Sequence, residues 1–266
     1  MRLTVEYDGS EFCGFQWQPG VRTVARVLEN ALERLLRETV KITGAGRTDS
    51  GVHATGQVIS FTTTRPFPFE RLVVALNALL PRDLSVRDAA EVETGFSARF
   101  SAIERTYVYA IRNAPGPSAL TDRYAWGVAR PLDLEAMRAA GSCLIGEHDF
   151  RAFSAPAEGP AVRNVRRLEI EPLERLVRVE IAAGGFLRHM VRVVIGTLVE
   201  CGEGRRDPAG MAGVLASADR SRAGVTAPPQ GLYLAGVRYP QGYDSYAEPP
   251  VLGARLARLD GAQAFP

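Results

Sequence analysis

The chain has 266 residues, 46% of them hydrophobic and 23% charged, with a net charge of +2; this composition supports buried cores and excludes a disordered chain. No run approaches the roughly 18 consecutive apolar residues of a membrane span, and residues 1–8 read as a strand, not as a signal peptide. Cys13, Cys143 and Cys201 stand isolated, without a CxxC pair or an even disulfide set, which points to a reducing cytoplasm. Of 32 basic residues only Lys41 is lysine. Arginine's planar fork suits phosphate and base contacts, although a general arginine bias would produce the same count.

In chain order, residues 1–8 alternate as a strand and Asp8-Gly9 ends it. Thr23 is placed to cap a helix running to about Glu38, with Val24, Val27, Leu28, Ala31 and Leu35 on its apolar face. A short strand at 41–43 precedes a glycine-rich loop at 44–53, and 57–63 is a strand again. Residues 69–80 read as a helix stopped by Pro81, and 84–92 as extended chain. The order strand-helix-strand-strand-helix-strand is the split βαβ pattern of ferredoxin-like domains.

The pattern then restarts. Residues 105–112 alternate, with Tyr107, Tyr109 and Ile111 on one face, and Asp133 caps a helix at 134–144. Strands at 165–171 and 176–181 are expected to pair around a turn at Pro172. An apolar helix is expected over 186–201, and a closing strand over 231–239. The expected fold is therefore α+β: two ferredoxin-like halves sharing a mostly antiparallel central sheet, with helices on one side. The halves span 1–100 and 101–240, and 241–266 reads as a polar, proline-rich tail.

The loop at 44–51 holds the densest set of special residues. Glycines at 44, 46 and 51 allow positive φ or close approach of a ligand. Between them stand Arg47, Thr48 and Asp49. A Walker phosphate loop would need Gly-Lys-Ser/Thr, which is absent. A plain turn and a nucleophile loop both fit the spacing. A carboxylate kept ionised by a nearby cation can attack an electrophilic carbon and form a covalent intermediate. No second acid sits at helical spacing to make a glycosidase pair. Tyr107 and Tyr109 are either core tyrosines of a sheet or a ring on which an extruded base stacks. Arg192, set among Met190, Val191, Val193 and Val194, either snorkels to water or faces a buried carboxylate. His53, His148 and His189 lack ligand spacing, so no metal site is expected.

The run Gly46-Arg47-Thr48-Asp49-Ser50-Gly51-Val52-His53-Ala54-Thr55-Gly56-Gln57-Val58 resembles the signature of the TruA-type tRNA pseudouridine synthases. Further matches follow in order. They are Tyr7-Asp8-Gly9-Ser10 with Gly14-Phe15-Gln16; Phe100-Ser101-Ala102 with Arg105, Tyr107 and Tyr109; Phe186-Leu187-Arg188-His189-Met190-Val191-Arg192; and Thr226-Ala227-Pro228-Pro229-Gln230-Gly231-Leu232-Tyr233-Leu234. The resemblance covers residues 1 to about 245. It implies Asp49 as nucleophile, Tyr107 as the tyrosine lying on the target base, Arg192 as the partner of the aspartate, and Arg47 beside the flipped-out nucleotide. It further implies a homodimer, without cofactor, that converts uridine to pseudouridine at positions 38, 39 and 40 of the tRNA anticodon stem-loop.

The chain departs from that pattern at Phe15 (often tryptophan), Ala25 (usually glutamine), Val193-Val194 (an Asn-Ile pair) and Glu104 (often basic). Two other functions fit parts of the sequence. A non-catalytic RNA-binding protein on ferredoxin-like halves would stack bases on sheet aromatics. A phosphate-handling enzyme would use the loop at 44–51, but lacks its lysine. No nucleotide cofactor and no membrane partner are expected.

Overall fold

The computed structural model describes residues 1–65, 67–156, 159–240 and 242–252. The chain divides into two compact units, Met1–Arg105 with Tyr233–Ala247, and Thr106–Leu232 with the chain from Glu248 onward. The fold is α+β, and each unit carries a mostly antiparallel sheet.

In the first unit the order is β1 (Arg2–Tyr7), α1 (Val24–Leu36), β2 (Thr43–Gly44), β3 (His53–Ser60), α2 (Phe69–Asn77) and β4 (Leu84–Ala90). β1 is central, antiparallel to β3 and to β4. Its side chains are buried on both faces, with Leu3 and Val5 fully covered. Thr23 caps α1, its hydroxyl accepting from the Arg26 amide, and Arg37 ends the helix in the left-handed conformation. β3 begins at His53, four residues before the alternation becomes readable, because all eight of its residues are buried and a doubly covered strand shows no polar face.

The second unit contains β5 (Glu104–Asn113), β6 (Trp126–Val128), α3 (Leu134–Ser142), β7 (Gly146–Asp149), β8 (Val162–Leu173), β9 (Leu176–Ala183), α4 (Met190–Gly202) and α5 (Met211–Ser217). Its strand order is β5-β9-β8-β7, with β6 parallel to β5. Two expectations are corrected here. Pro172 does not turn the hairpin but pairs with Val177 inside it; the reversal falls at Glu174, which takes φ 55°. The helix expected from 186 starts only at Met190, because His189 adopts φ 63° and breaks the helical path. Arg188 therefore lies outside α4. The short β6, β7 and α5 had no clear sequence signal.

The last strands return to the first unit. β10 (Leu232–Arg238) runs parallel to β3, with Tyr233 opposite His53 and Leu234 opposite Ala54. β11 (Ser245–Tyr246), from the segment read as a tail, pairs with β10, and Thr55 Oγ1 donates to Ala247 O at 2.5 Å. The rest of that tail, 253–266, lies outside the described residues.

Candidate active site

The loop between β2 and β3 is held from beneath at three points. Gln57 grips Gly46 with both ends of its amide: Nε2 donates to Gly46 O at 2.7 Å and Oε1 accepts from Gly46 N at 3.3 Å. The hydroxyls of Tyr7 and Thr48 share a hydrogen bond of 2.8 Å. Both groups are buried, and burial pushes the Tyr7 phenol up to about 12 despite its bonds to Thr48 and Gln57. The Phe15 amide donates to Thr48 O at 3.0 Å and the Val52 amide to Asp49 O at 3.2 Å. Gly14, at φ 84°, packs its α-carbon so close that a β-carbon there would lie 2.9 Å from Thr48 O.

Buried Thr48 thus anchors the loop while its neighbours turn outward: Arg47 is exposed and Asp49 half-buried. A fixed backbone beside a half-buried carboxylate suits a nucleophile. The supports were not foreseen as functional, although Gln57 and Tyr7 both lie in the quoted motifs. His53 is a further support, stacked on Tyr233 at 4.8 Å, and its Nδ1 accepts from the Gly9 amide at 3.0 Å.

In the second unit Tyr107 and Tyr109 lie on β5, both buried. They have different surroundings. Tyr109 donates its hydroxyl to Pro228 O at 2.8 Å and meets Trp126 edge-on, and burial pushes its phenol well above the usual range although Arg192 pulls it down. Tyr109 is therefore locked in structure. Tyr107 instead presents its ring edge-on to Phe186, with centroids 5.2 Å apart.

Arg192, on the first turn of α4, is half-buried. Its Nε donates to Ala227 O at 2.8 Å, and the Ala227 amide donates back to Arg192 O at 3.0 Å. This double tie joins the first turn of α4 to the segment 225–228. Asp49 and Arg47 belong to the first unit, and Tyr107 and Arg192 to the second. Among the described residues no three His, Cys, Asp or Glu side chains gather as metal ligands, and no helix is long and apolar enough to cross a membrane.

A family model described as tRNA pseudouridine synthase matches residues 3–101 and 140–240, and the chain belongs to that family. It is accordingly an isomerase. Relatives named tRNA pseudouridine synthase A extend over nearly the whole chain. That of Myxococcus xanthus is 46% identical over 245 residues, covering 91% of this chain and 92% of its own. That of Geotalea daltonii is 41% identical over 241 residues, covering 90% and 99%. That of a Roseiflexus species is 46% identical over 254 residues, covering 93% of each. A solved Cbf5-Nop10-Gar1 complex is 14% identical, covering 74% of this chain and 54% of its own, with a TM-score of 0.30, too slight a likeness to argue from.

Proposed function

We propose that the chain isomerises uridine to pseudouridine at positions 38, 39 and 40 of the tRNA anticodon arm, with Asp49 as nucleophile. The observation that carries the reading is the pinned loop: Gly46 and Thr48 are bonded into the sheet, and Asp49, next in the chain, is half-buried. Conversion of tRNA uridine follows from the family. The anticodon positions rest on the resemblance described above.

The reaction breaks the N1–C1′ glycosidic bond, turns the base, and rejoins it to C1′ through C5. Substrate and product are isomers, so atoms and electrons balance without a redox partner or activated donor. The Asp49 carboxylate bonds transiently to C1′ of the sugar or C6 of the base, and is released when the new bond has formed. C5 then loses its proton to Tyr107 or Asp49. In this reading Arg192 is the cation assigned to Asp49, and Tyr107 supports the extruded base. Arg47 lies beside the flipped-out nucleotide. The active species is a cytoplasmic homodimer, one subunit gripping the anticodon arm while the other holds the body of the RNA.

The test is incubation with unmodified tRNA tritiated at uridine C5, without any added cofactor. Stoichiometric release of label, with pseudouridine mapped to 38–40, is expected. Retention of label would overturn the reading, and modification confined to another arm would overturn the positions. A monomeric mass by light scattering at a fully active concentration would overturn the dimer.

A further inference from the structure

A second feature of the Thr106–Leu232 unit lies outside the four residues assigned to the reaction. A cleft of about 500 Å³ is lined by Arg151, Arg163, Arg188 and Arg220, together with Phe186, Leu187 and the turn around Pro160. Among the described lining residues there is no carboxylate. Asp149, just outside, pairs with Arg151 at 2.9 Å and offsets one of the four charges.

Of the other three, Arg163 and Arg220 are held by hydrogen bonds from their guanidiniums, and Arg188 is placed by the turn that follows it. Arg163 Nη1 donates to Pro160 O at 3.0 Å and Val162 O at 2.7 Å, holding its guanidinium against the cleft wall. Arg220 Nη2 donates to Thr226 Oγ1 at 3.0 Å. Arg188 precedes His189, whose left-handed φ of 63° sends Met190 into the core and leaves Arg188 exposed. Its carbonyl accepts from the Ala155 amide at 3.0 Å, tying the two cleft walls together. A non-glycine residue in that conformation is strained, so the surrounding structure must hold it there.

Three guanidiniums facing one concave space, with no acid among the described lining residues, suit a phosphate, whose oxygens accept the parallel N–H pairs of the fork. The cleft is also joined to the proposed site at two places. Phe186 lines it and packs against Tyr107. Thr226, which holds Arg220, adjoins Ala227, which holds Arg192.

We propose that this cleft binds a backbone phosphate of the RNA, next to the nucleotide whose base lies on Tyr107. The assignment rests on the RNA-modifying reading above, and names where the substrate's negative charge is held.

The experiment measures tRNA affinity by anisotropy over a salt series, for the whole protein and for the triple variant Arg163→Gln, Arg188→Gln, Arg220→Gln. Each lost phosphate contact removes about 0.7–0.9 from the slope of log K against log salt. Because the three arginines hold one phosphate, a decrease of about 0.7–0.9 is expected. Arg34→Gln, the same charge change on an exposed face of α1, is the control and should leave the slope unchanged. A triple variant with the parent's slope would overturn the proposal. So would equal effects of Arg34→Gln and each single cleft substitution, which would mean a diffuse field without a site. Should the triple variant fail to fold, the Arg→Lys triple, which keeps the charge, and inorganic pyrophosphate on the unaltered protein decide. Pyrophosphate should compete with tRNA; binding of pyrophosphate without competition would assign the cleft to free phosphates and overturn the RNA contact. Tritium release by the unaltered enzyme tests the reaction separately, so failure of one claim does not mimic failure of the other.

Discussion

Replacing Gly196 by alanine should be far more damaging than its chemistry suggests. Gly196 lies mid-way along α4, where the helix runs directly over the strap at 225–227. A β-carbon at 196 would lie 1.8 Å from Val225 O and 2.8 Å from its carbonyl carbon. Both partners are backbone, so no side chain can swing aside, and the strap must lift by more than 1 Å. Lifting it strains three hydrogen bonds: Arg192 Nε to Ala227 O, the Ala227 amide to Arg192 O, and the Gly224 amide to Thr197 Oγ1. At about 1 kcal/mol each they account for roughly 3 kcal/mol, and overpacking adds about 1–3. The better helix propensity of alanine returns about 1 kcal/mol. The net loss is on the order of 3–5 kcal/mol, or a melting point lower by roughly 6–20 °C in a unit of this size. Gly213→Ala in α5, where nothing lies within 4 Å of the added carbon, should instead be neutral or slightly stabilising. The assay is thermal unfolding of both variants beside the parent, followed by tritium release at a temperature where both are folded. Gly196→Ala should also lose activity, because Arg192 loses its anchor. A Gly196→Ala protein that melts within about 2 °C of the parent would refute the reasoning.

Asp49→Asn should abolish label release while tRNA affinity stays within about threefold, since binding is spread over many phosphate contacts; residual turnover within tenfold of the parent would sink the assignment. Arg192→Lys should lower turnover by roughly 10²-fold, because an ammonium cannot both bond to Ala227 O and present a fork to Asp49; near-normal turnover in the lysine variant would show that charge alone suffices. Tyr7 carries a folded pKa of about 12 against an ordinary 10, so the unfolded chain loses this proton first as pH rises. Its stabilisation is complete below pH 10 and falls by about 1.4 kcal/mol per pH unit up to 12. Tyr7→Phe should start less stable for want of the Thr48 bond, yet show a shallower alkaline decline in urea titrations; an equal slope would count against the burial argument.

Much of the fold and site could be read locally. The Thr23 cap and the apolar face of α1 lie within a few turns of one another, so the helix declares itself without tertiary help. The loop carrying Arg47, Thr48 and Asp49 stands out because glycines and a charge pair are packed into eight residues. Elements without such a marker escaped. β6 and β7, with three and four residues, are too short to show a period, and the apolar run through 186–201 continues the helical pattern across a residue that is not helical.

The sequence by itself named the candidates proposed for the chemistry, because the identity and order of Asp49, Tyr107 and Arg192 within their motifs are local properties. Only the tertiary structure decided what holds them. Gln57 clamps Gly46 from a neighbouring strand position, Tyr7 reaches Thr48 across 41 residues, and Ala227 secures Arg192 across 35. It also distinguished the two tyrosines, locking Tyr109 to Pro228 and setting Tyr107 against Phe186. The same is true of the cleft arginines, which lie up to 69 residues apart in sequence and converge because the hairpin, the turn at His189 and the helix 220–222 end beside one another. Such pairings depend on burial and on hydrogen bonds between distant segments, and neither leaves a period or a cap in the local sequence.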